Sequence, residues 1–147
     1  PPGKEYLLNH GIEKMIEKRK IFKSQEIDTW MDCGTPKLLI ESAKIIMKSN
    51  EGLSSEDNFS KQGNVKINHP VFIGKNVIVK DSTIGPYVSV GENCIISDSI
   101  VESTLIYNNV KVSNATLQNS ILGSNTIYDG SNKEIFLGDY SQINNDE

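Results

Sequence analysis

The hydrophobic positions of this chain obey two different rules, and the change falls near residue 50. Before it, spacing is helical. Ile12, Met15 and Ile16 fall at i, i+3 and i+4 among Glu and Lys, which predicts an amphipathic helix. A second helix is predicted over 35–48, with Thr35 as N-cap, Pro36 at the first helical position and Asn50 to Gly52 as the stop. Its apolar side would carry Leu38, Leu39, Ala43, Ile46 and Met47. Between the helices, Ile21-Phe22 and Ile27–Met31 read as short strands. An α-β-β-α run this short cannot close a core, so 1–48 reads as the end of a larger α/β domain or as a cap on the second half. Residues 49–63 turn polar and read as a linker, with Leu53 and Phe59 as the only anchors.

From residue 64 the rule is a short repeat. Aliphatic residues recur at Ile67, Ile73, Val79, Ile84, Val90, Ile96, Val101, Ile106, Val112, Leu117, Leu122 and Ile127, in steps of five or six. Four places after each of the first eleven stands a second small, β-branched or aliphatic residue, from Val71 to Thr126, Cys94 among them. Gly74, Gly85, Gly91 and Gly123 each follow an aliphatic, where a corner could require an unusual backbone conformation. A 3.6-residue helix would smear this period around its surface, and a hairpin meander needs longer alternation and turn pairs such as Asn-Gly. Short strands joined by tight corners, three per coil, account for it. Successive coils, opening at Ile67, Ile84, Val101 and Leu117, then stack their aliphatics inside a triangular prism. The abundant Asn, and the pairs Asp81-Ser82, Asp98-Ser99 and Asn119-Ser120, read as corners. Residues 128–136 interrupt the repeat and are expected to loop out, with Ile135 and Phe136 covering the end of the stack.

Length and charge narrow the chemistry. With 147 residues, 19 acidic against 15 basic, the net charge of −4 argues against nucleic acid as a partner. No apolar run approaches the length of a membrane span and no leader pattern opens the chain. Pro1 stands where Met would, so a processed or truncated piece is expected. Cys33 and Cys94 match no metal or redox spacing and read as reduced thiols of a cytoplasmic protein, Cys94 as a small buried hydrophobe. His69, before Pro70, is the only histidine in the repeat. It reads as a surface residue, or as the base of an acyl transfer.

Trp30-Met31-Asp32-Cys33-Gly34-Thr35-Pro36 is the most informative stretch. It sets Asp32 between a predicted strand and a helix N-terminus, a usual place for phosphate and metal ligands. An Asp there can equally bond the amides of its own turn, and the sequence leaves both readings open. The stretch resembles the Trp-x-Asp-x-Gly-Thr signature of the sugar-phosphate nucleotidyltransferases (nucleotide-sugar pyrophosphorylases). Thr35–Ser42 is similar to the segment after that signature, and Lys4–His10 to a preceding helix start, with Asn9 and His10 in place of the usual Thr and Asp. The stretches 70–74, 82–89 and 138–141 resemble the hexapeptide-repeat left-handed β-helix tail of glucose-1-phosphate thymidylyltransferase-like members.

The resemblance implies a mainly β fold, a left-handed parallel β-helix of about four to five coils over 64–147, preceded at 1–48 by the end of a nucleotidyltransferase α/β domain. It implies that Asp32 is one of two carboxylates holding Mg²⁺, with Gly34 and Thr35 near substrate. It also implies an intact enzyme that joins a nucleoside triphosphate and a sugar 1-phosphate into a nucleotide-sugar and pyrophosphate. The family's Gly-rich nucleotide loop and its first metal-binding Asp have no counterpart here, so this chain alone is expected to be inactive. The β-helix is expected to serve assembly as a homo-oligomer, with no membrane partner. The alternatives are an acyltransferase using an acyl-coenzyme A donor, with His69 as base, and a pure oligomerisation module.

Overall fold

The computed structural model describes residues 7–49, 59–130 and 134–143. The chain divides into two compact units, Pro1–Trp30 and Met31–Glu147. In the first, helix α1 (Leu8–Glu17) buries none of its residues, and Lys14 pairs with Glu17 along its surface. The strands expected at Ile21-Phe22 and Ile27–Met31 do not form. A strand is stable only beside a partner that takes up its amides and carbonyls, and no described residue pairs with these. Ile21 and Trp30 stand 89% and 82% exposed.

The second unit is a parallel β-solenoid of about five turns with helix α2 (Pro36–Ser49) against it. Every described strand pairing is parallel, in three sheets that form the faces of the prism. The first face stacks Phe59–Gln62, Val77–Lys80, Ile95–Ser97, Lys111–Ser113, Ile127–Asp129 and Gln142–Ile143. The second stacks Lys66–Ile67, Thr83–Ile84, Ile100–Glu102 and Thr116–Gln118; the third Val71–Ile73, Val88–Val90, Leu105–Ile106, Ile121–Leu122 and Phe136–Leu137. The first face therefore begins at Phe59, inside the stretch expected to be linker. Residues 50–58 of that stretch lie outside the described residues.

Period 2 within a strand places two inward residues on each side of a coil: the expected aliphatic and the residue two places before it. Val77 with Val79, Ser82 with Ile84, Cys94 with Ile96, Ser99 with Val101, Thr104 with Ile106 and Ala115 with Leu117 are all buried. The expected second position, four after the previous aliphatic, holds wherever the step to the next aliphatic is six. Where the step is five it lands one place late, on Thr83, Ile100, Leu105, Thr116 or Ile121, none of them buried. The residue a shorter coil drops lies before the second inward site, not after it. The last position errs in the other direction: the step from Leu122 to the true inward site is six, so Thr126 is buried as expected, while Ile127 falls one place early at 38% exposed and Tyr128 fills the core at 0%. A shift of one residue turns a strand side chain to the opposite face.

The corners are made by the residue just before each inward pair. Eleven of these, from Asn76 to Tyr140, hold φ between 43° and 62°; six are Asn and two are Asp, the non-glycine residues that tolerate a left-handed backbone best. Only Gly85 among the four expected corner glycines has positive φ, at 96°. Gly74 and Gly91 are needed for a different reason. A Cβ at Gly91 would lie 2.8 Å from the carbonyl carbon of Tyr107 in the next coil, and one at Gly74 2.8 Å from that of Gly91. The stacked corner asparagines form a ladder: Asn76 donates to Asn93 at 3.1 Å, Asn93 to Asn109 at 3.4 Å, and Asn109 to Asn125 at 3.1 Å.

The small inward sites do a second job. The Ser82 hydroxyl accepts the amide of Ser99 at 3.0 Å, and that of Ser99 accepts the amide of Ala115 at 3.1 Å. Thr104 and Ser120 do the same for Ser120 and Ile135. Each hydroxyl also donates to a carbonyl two residues back, so no buried side-chain oxygen or nitrogen among the described residues lacks a partner.

Of the stretch 128–136 expected to loop out, Tyr128-Asp129 and Phe136 instead stand in strands of the stack. Ile121 pairs with Phe136 and Leu122 with Leu137, in the parallel register of the coils before them. Ile135 and Leu137 pack against the core, whereas Phe136 points outward, 47% exposed, and covers no end of the prism. Residues 131–133 lie outside the described set. The inward frame predicts that Tyr128→Ala lowers stability by about 3–5 kcal/mol and Ile127→Ala by under about 1 kcal/mol. Urea unfolding of the two variants checks it; equal losses would contradict the frame.

Candidate functional site

The predicted site residues fall at the start of the second unit, in the turn that leads into α2. Asp32 is exposed, and its Oδ1 accepts the Gly34 amide at 2.8 Å. Thr35 caps the helix, its Oγ1 accepting the Leu38 amide at 3.3 Å. Ser42, one of two buried residues of α2, reaches back to donate to the Asp32 carbonyl at 3.2 Å. The three predicted residues are thus brought into one turn. Asp32 performs the structural role that the sequence left open, and its exposed carboxylate stays accessible to a ligand.

The helix is anchored in turn to the solenoid. Its covered side is Ile40, Ala43, Lys44 and Met47, at i, i+3, i+4 and i+7. Of the expected side, Leu38, Leu39, Ala43 and Met47 are half-buried and only Ile46 stands exposed, at 47%, while Ile40, not expected there, is buried to 4%. Lys44 Nζ donates to Asn119 Oδ1 at 3.1 Å, and the Lys48 ammonium sits 5.5 Å from the centre of the Tyr87 ring. Tyr87 and Asn119 occupy the same corner two coils apart, through Ser103, so α2 runs along that corner. Near its N-terminal half a cleft of about 270 Å³ opens, with Lys37, Glu41 and Lys44 facing Glu134 and Phe136. The sequence reading allowed for a cap on the second half but missed Ile40, whose spacing to Ala43 and Met47 carried the signal.

One carboxylate does not make a metal centre. Among the described residues no three His, Cys, Asp or Glu side chains gather to hold an ion. Asp32 fits a Mg²⁺ site as a single hard oxygen donor, because Mg²⁺ takes few protein carboxylates and fills its shell with phosphate and water. His69 is exposed on the first coil, and no second histidine lies within the repeat. Along another corner an open groove is lined by Asp81 and Asp98, but Asp81 Oδ1 is bound to the Asn64 amide at 2.9 Å, a use that belongs to the corner itself. No helix among the described residues is long and apolar enough to cross a membrane.

Comparison with known proteins places this architecture. No protein-family model matches the chain. It is similar to a glucose-1-phosphate thymidylyltransferase of Streptomyces antibioticus, 24% identical over 160 residues that take in 95% of this chain and 45% of the relative. A protein of the same name from Streptomyces griseus is 23% identical over 135 residues, 81% of this chain and 38% of the relative. The bifunctional protein GlmU of Wigglesworthia glossinidia brevipalpis is 30% identical over 89 residues, 60% of this chain and 18% of its own length. The chain spans less than half the length of these curated relatives. It is consistent with the C-terminal part of a nucleotidyltransferase.

The two thiols are a simple probe of these surroundings. Cys33 is exposed beside Asp32, whereas Cys94 is buried between coils, donating to the Tyr107 carbonyl at 3.0 Å. Burial pushes the Cys94 thiol up from its ordinary pKa, which makes the reactive thiolate scarcer still. In the native chain at pH 8, Cys33 is expected to react with an aromatic disulfide reagent at least about 100-fold faster than Cys94. Timed labelling with and without denaturant measures the ratio; comparable rates would mean that the solenoid opens readily.

Proposed function

We propose that this chain is the carboxy-terminal part of a sugar-1-phosphate nucleotidyltransferase. In this reading the intact enzyme joins a nucleoside triphosphate to a sugar 1-phosphate and releases pyrophosphate. The observation that carries it is the similarity to a thymidylyltransferase over 95% of this chain, a share too large to leave out either the Asp32 turn with α2 or the solenoid. Residues 1–48 complete the α/β catalytic body, and the part of 49–63 before Phe59 is the connector. The first unit supports this. A helix with an apolar side and no buried residue, followed by Ile21 and Trp30 in the open, is what remains when an element's core partner lies elsewhere.

Within this chain the chemistry is confined to Asp32. Its carboxylate would be one of two that hold Mg²⁺, and the ion, when bound, neutralises charge on the reacting phosphates. The Gly34 amide and the Thr35 cap fix where that carboxylate stands, and the Ser42 hydroxyl ties the turn to α2. The two free thiols are in keeping with the cytoplasm. The solenoid serves as a platform for homo-oligomer assembly rather than as an acyltransferase, since His69 is the only imidazole in its coils.

The test is a coupled assay of pyrophosphate release from sugar 1-phosphate and nucleoside triphosphate. The 147-residue chain is expected to be silent, and the product of the full reading frame active. Asp32→Asn in that product should lower kcat by about 100-fold or more at saturating Mg²⁺ while α2 and the solenoid stay folded. Turnover by the short chain, or an unaffected Asp32→Asn enzyme, would overturn the assignment.

A further inference from the structure

The turn before α2 is held at two points, and they reach different distances. The first is local. Asp32 Oδ1 accepts the Gly34 amide at 2.8 Å, and a Cβ on Gly34 would stand 3.0 Å from the same oxygen, so a side chain there would crowd the carboxylate. Asp32 Oδ2 takes no hydrogen bond from a described residue.

The second point is on the main chain. Ser42 is 5% exposed, and its hydroxyl donates to the Asp32 carbonyl, ten places earlier, at 3.2 Å. A serine within a helix ordinarily returns its proton to a carbonyl of its own preceding turn. Ser42 reaches out of the helix instead. Helix formation does not call for a serine here, because alanine would serve it better and would bury no polar atom. The bond to Asp32 is what the hydroxyl adds. The two local bonds, from Gly34 to Asp32 and from Leu38 to Thr35, join residues two and three places apart and travel with the turn. The Ser42 bond ties the turn to a buried point of a helix that is itself fixed, by Ile40 at 4% exposure and by Lys44 on Asn119.

We propose that Ser42 is a positioning residue for the Asp32 carboxylate. It holds the main chain from which the carboxylate projects, the Gly34 amide holds one oxygen, and Oδ2 is left for a divalent cation. Ser42 does not touch the ion. Its effect is to order an exposed ligand in advance, so that ion binding does not bear that cost. This rests on the nucleotidyltransferase reading above and adds to it a residue outside the Trp-x-Asp-x-Gly-Thr signature.

The test uses the product of the full reading frame. Mn²⁺, a spectroscopic substitute for Mg²⁺, is titrated without substrates, and binding is read from the paramagnetic resonance of the free ion. Ser42→Ala should weaken Mn²⁺ binding by about 10-fold or more, and Ser42→Thr, which keeps the hydroxyl, by under about 3-fold. The Mg²⁺ needed for half-maximal pyrophosphate release should rise in the same order. A nitroxide on Cys33 of the 147-residue chain reads the turn with no metal at all: its spectrum should sharpen in Ser42→Ala and stay broad in Ser42→Thr. A Ser42→Ala enzyme that melts earlier but keeps its Mn²⁺ affinity and nitroxide spectrum would overturn the proposal, as would equal losses in the two variants. If Asp32→Asn loses Mn²⁺ in that same enzyme, the nucleotidyltransferase reading outlives the failure of Ser42. An Asp32→Asn enzyme that binds Mn²⁺ like its parent would overturn the reading itself, and the role of Ser42 with it.

Discussion

One backbone constraint underlies the whole solenoid: at each described corner the chain must bend through a single residue and still present its next amide to the coil beside it. At eleven of these corners, from Asn76 to Tyr140, a left-handed residue makes the bend, and the small side chain that comes next finishes the work. At Ser82, Ser99, Thr104 and Ser120 that side chain sits inside the prism, accepts an amide from the adjoining coil and donates to a carbonyl of its own. Where it is Cys94, the thiol does the same more weakly, between the Tyr107 carbonyl and the Val110 amide. Hydrophobic stacking supplies the driving force, but these paired polar atoms set the register.

Much of this could be read from the residues alone. Asparagine before a small residue, every five or six positions, has a direct physical meaning, because few other residues hold the left-handed conformation cheaply. What misled was counting forward from the aliphatic through the corner, where coil length varies, instead of backward along the strand, where alternation is strict. Thr83 and Ile100 were misplaced in this way; Tyr128 was passed over for another reason, being an aromatic in a column of aliphatics beside the aliphatic Ile127. The strands expected at Ile21-Phe22 and Ile27–Met31 fail for another reason. Apolar composition gives a segment the ability to be a strand, and only a neighbour makes it one.

The candidate site was legible to the extent that it is local. The Asp32 bond to Gly34 and the Thr35 cap depend on residues two and three places away, so the spacing of Asp, Gly, Thr and Pro encodes them. The seat of α2 on the solenoid joins positions far apart in sequence, such as Lys44 with Asn119. Nothing in the local pattern marks Lys44 as different from its neighbours Lys37 and Lys48.

That seat connects the two kinds of structure within the second unit. The helix rises about 1.5 Å per residue and the coils about 4.8 Å per turn, so the 14 residues of α2 span about four coils. Contacts from Lys44 to Asn119 and from Lys48 to Tyr87 use that match, pinning the helix along a corner at two heights. Ser42 then carries the constraint back to the backbone of Asp32. The carboxylate is exposed, but it stands on a turn whose position is set by the solenoid through one helix. A platform of this kind holds an exposed carboxylate in place through backbone and helix contacts alone, without a charged side chain of the coils beside it.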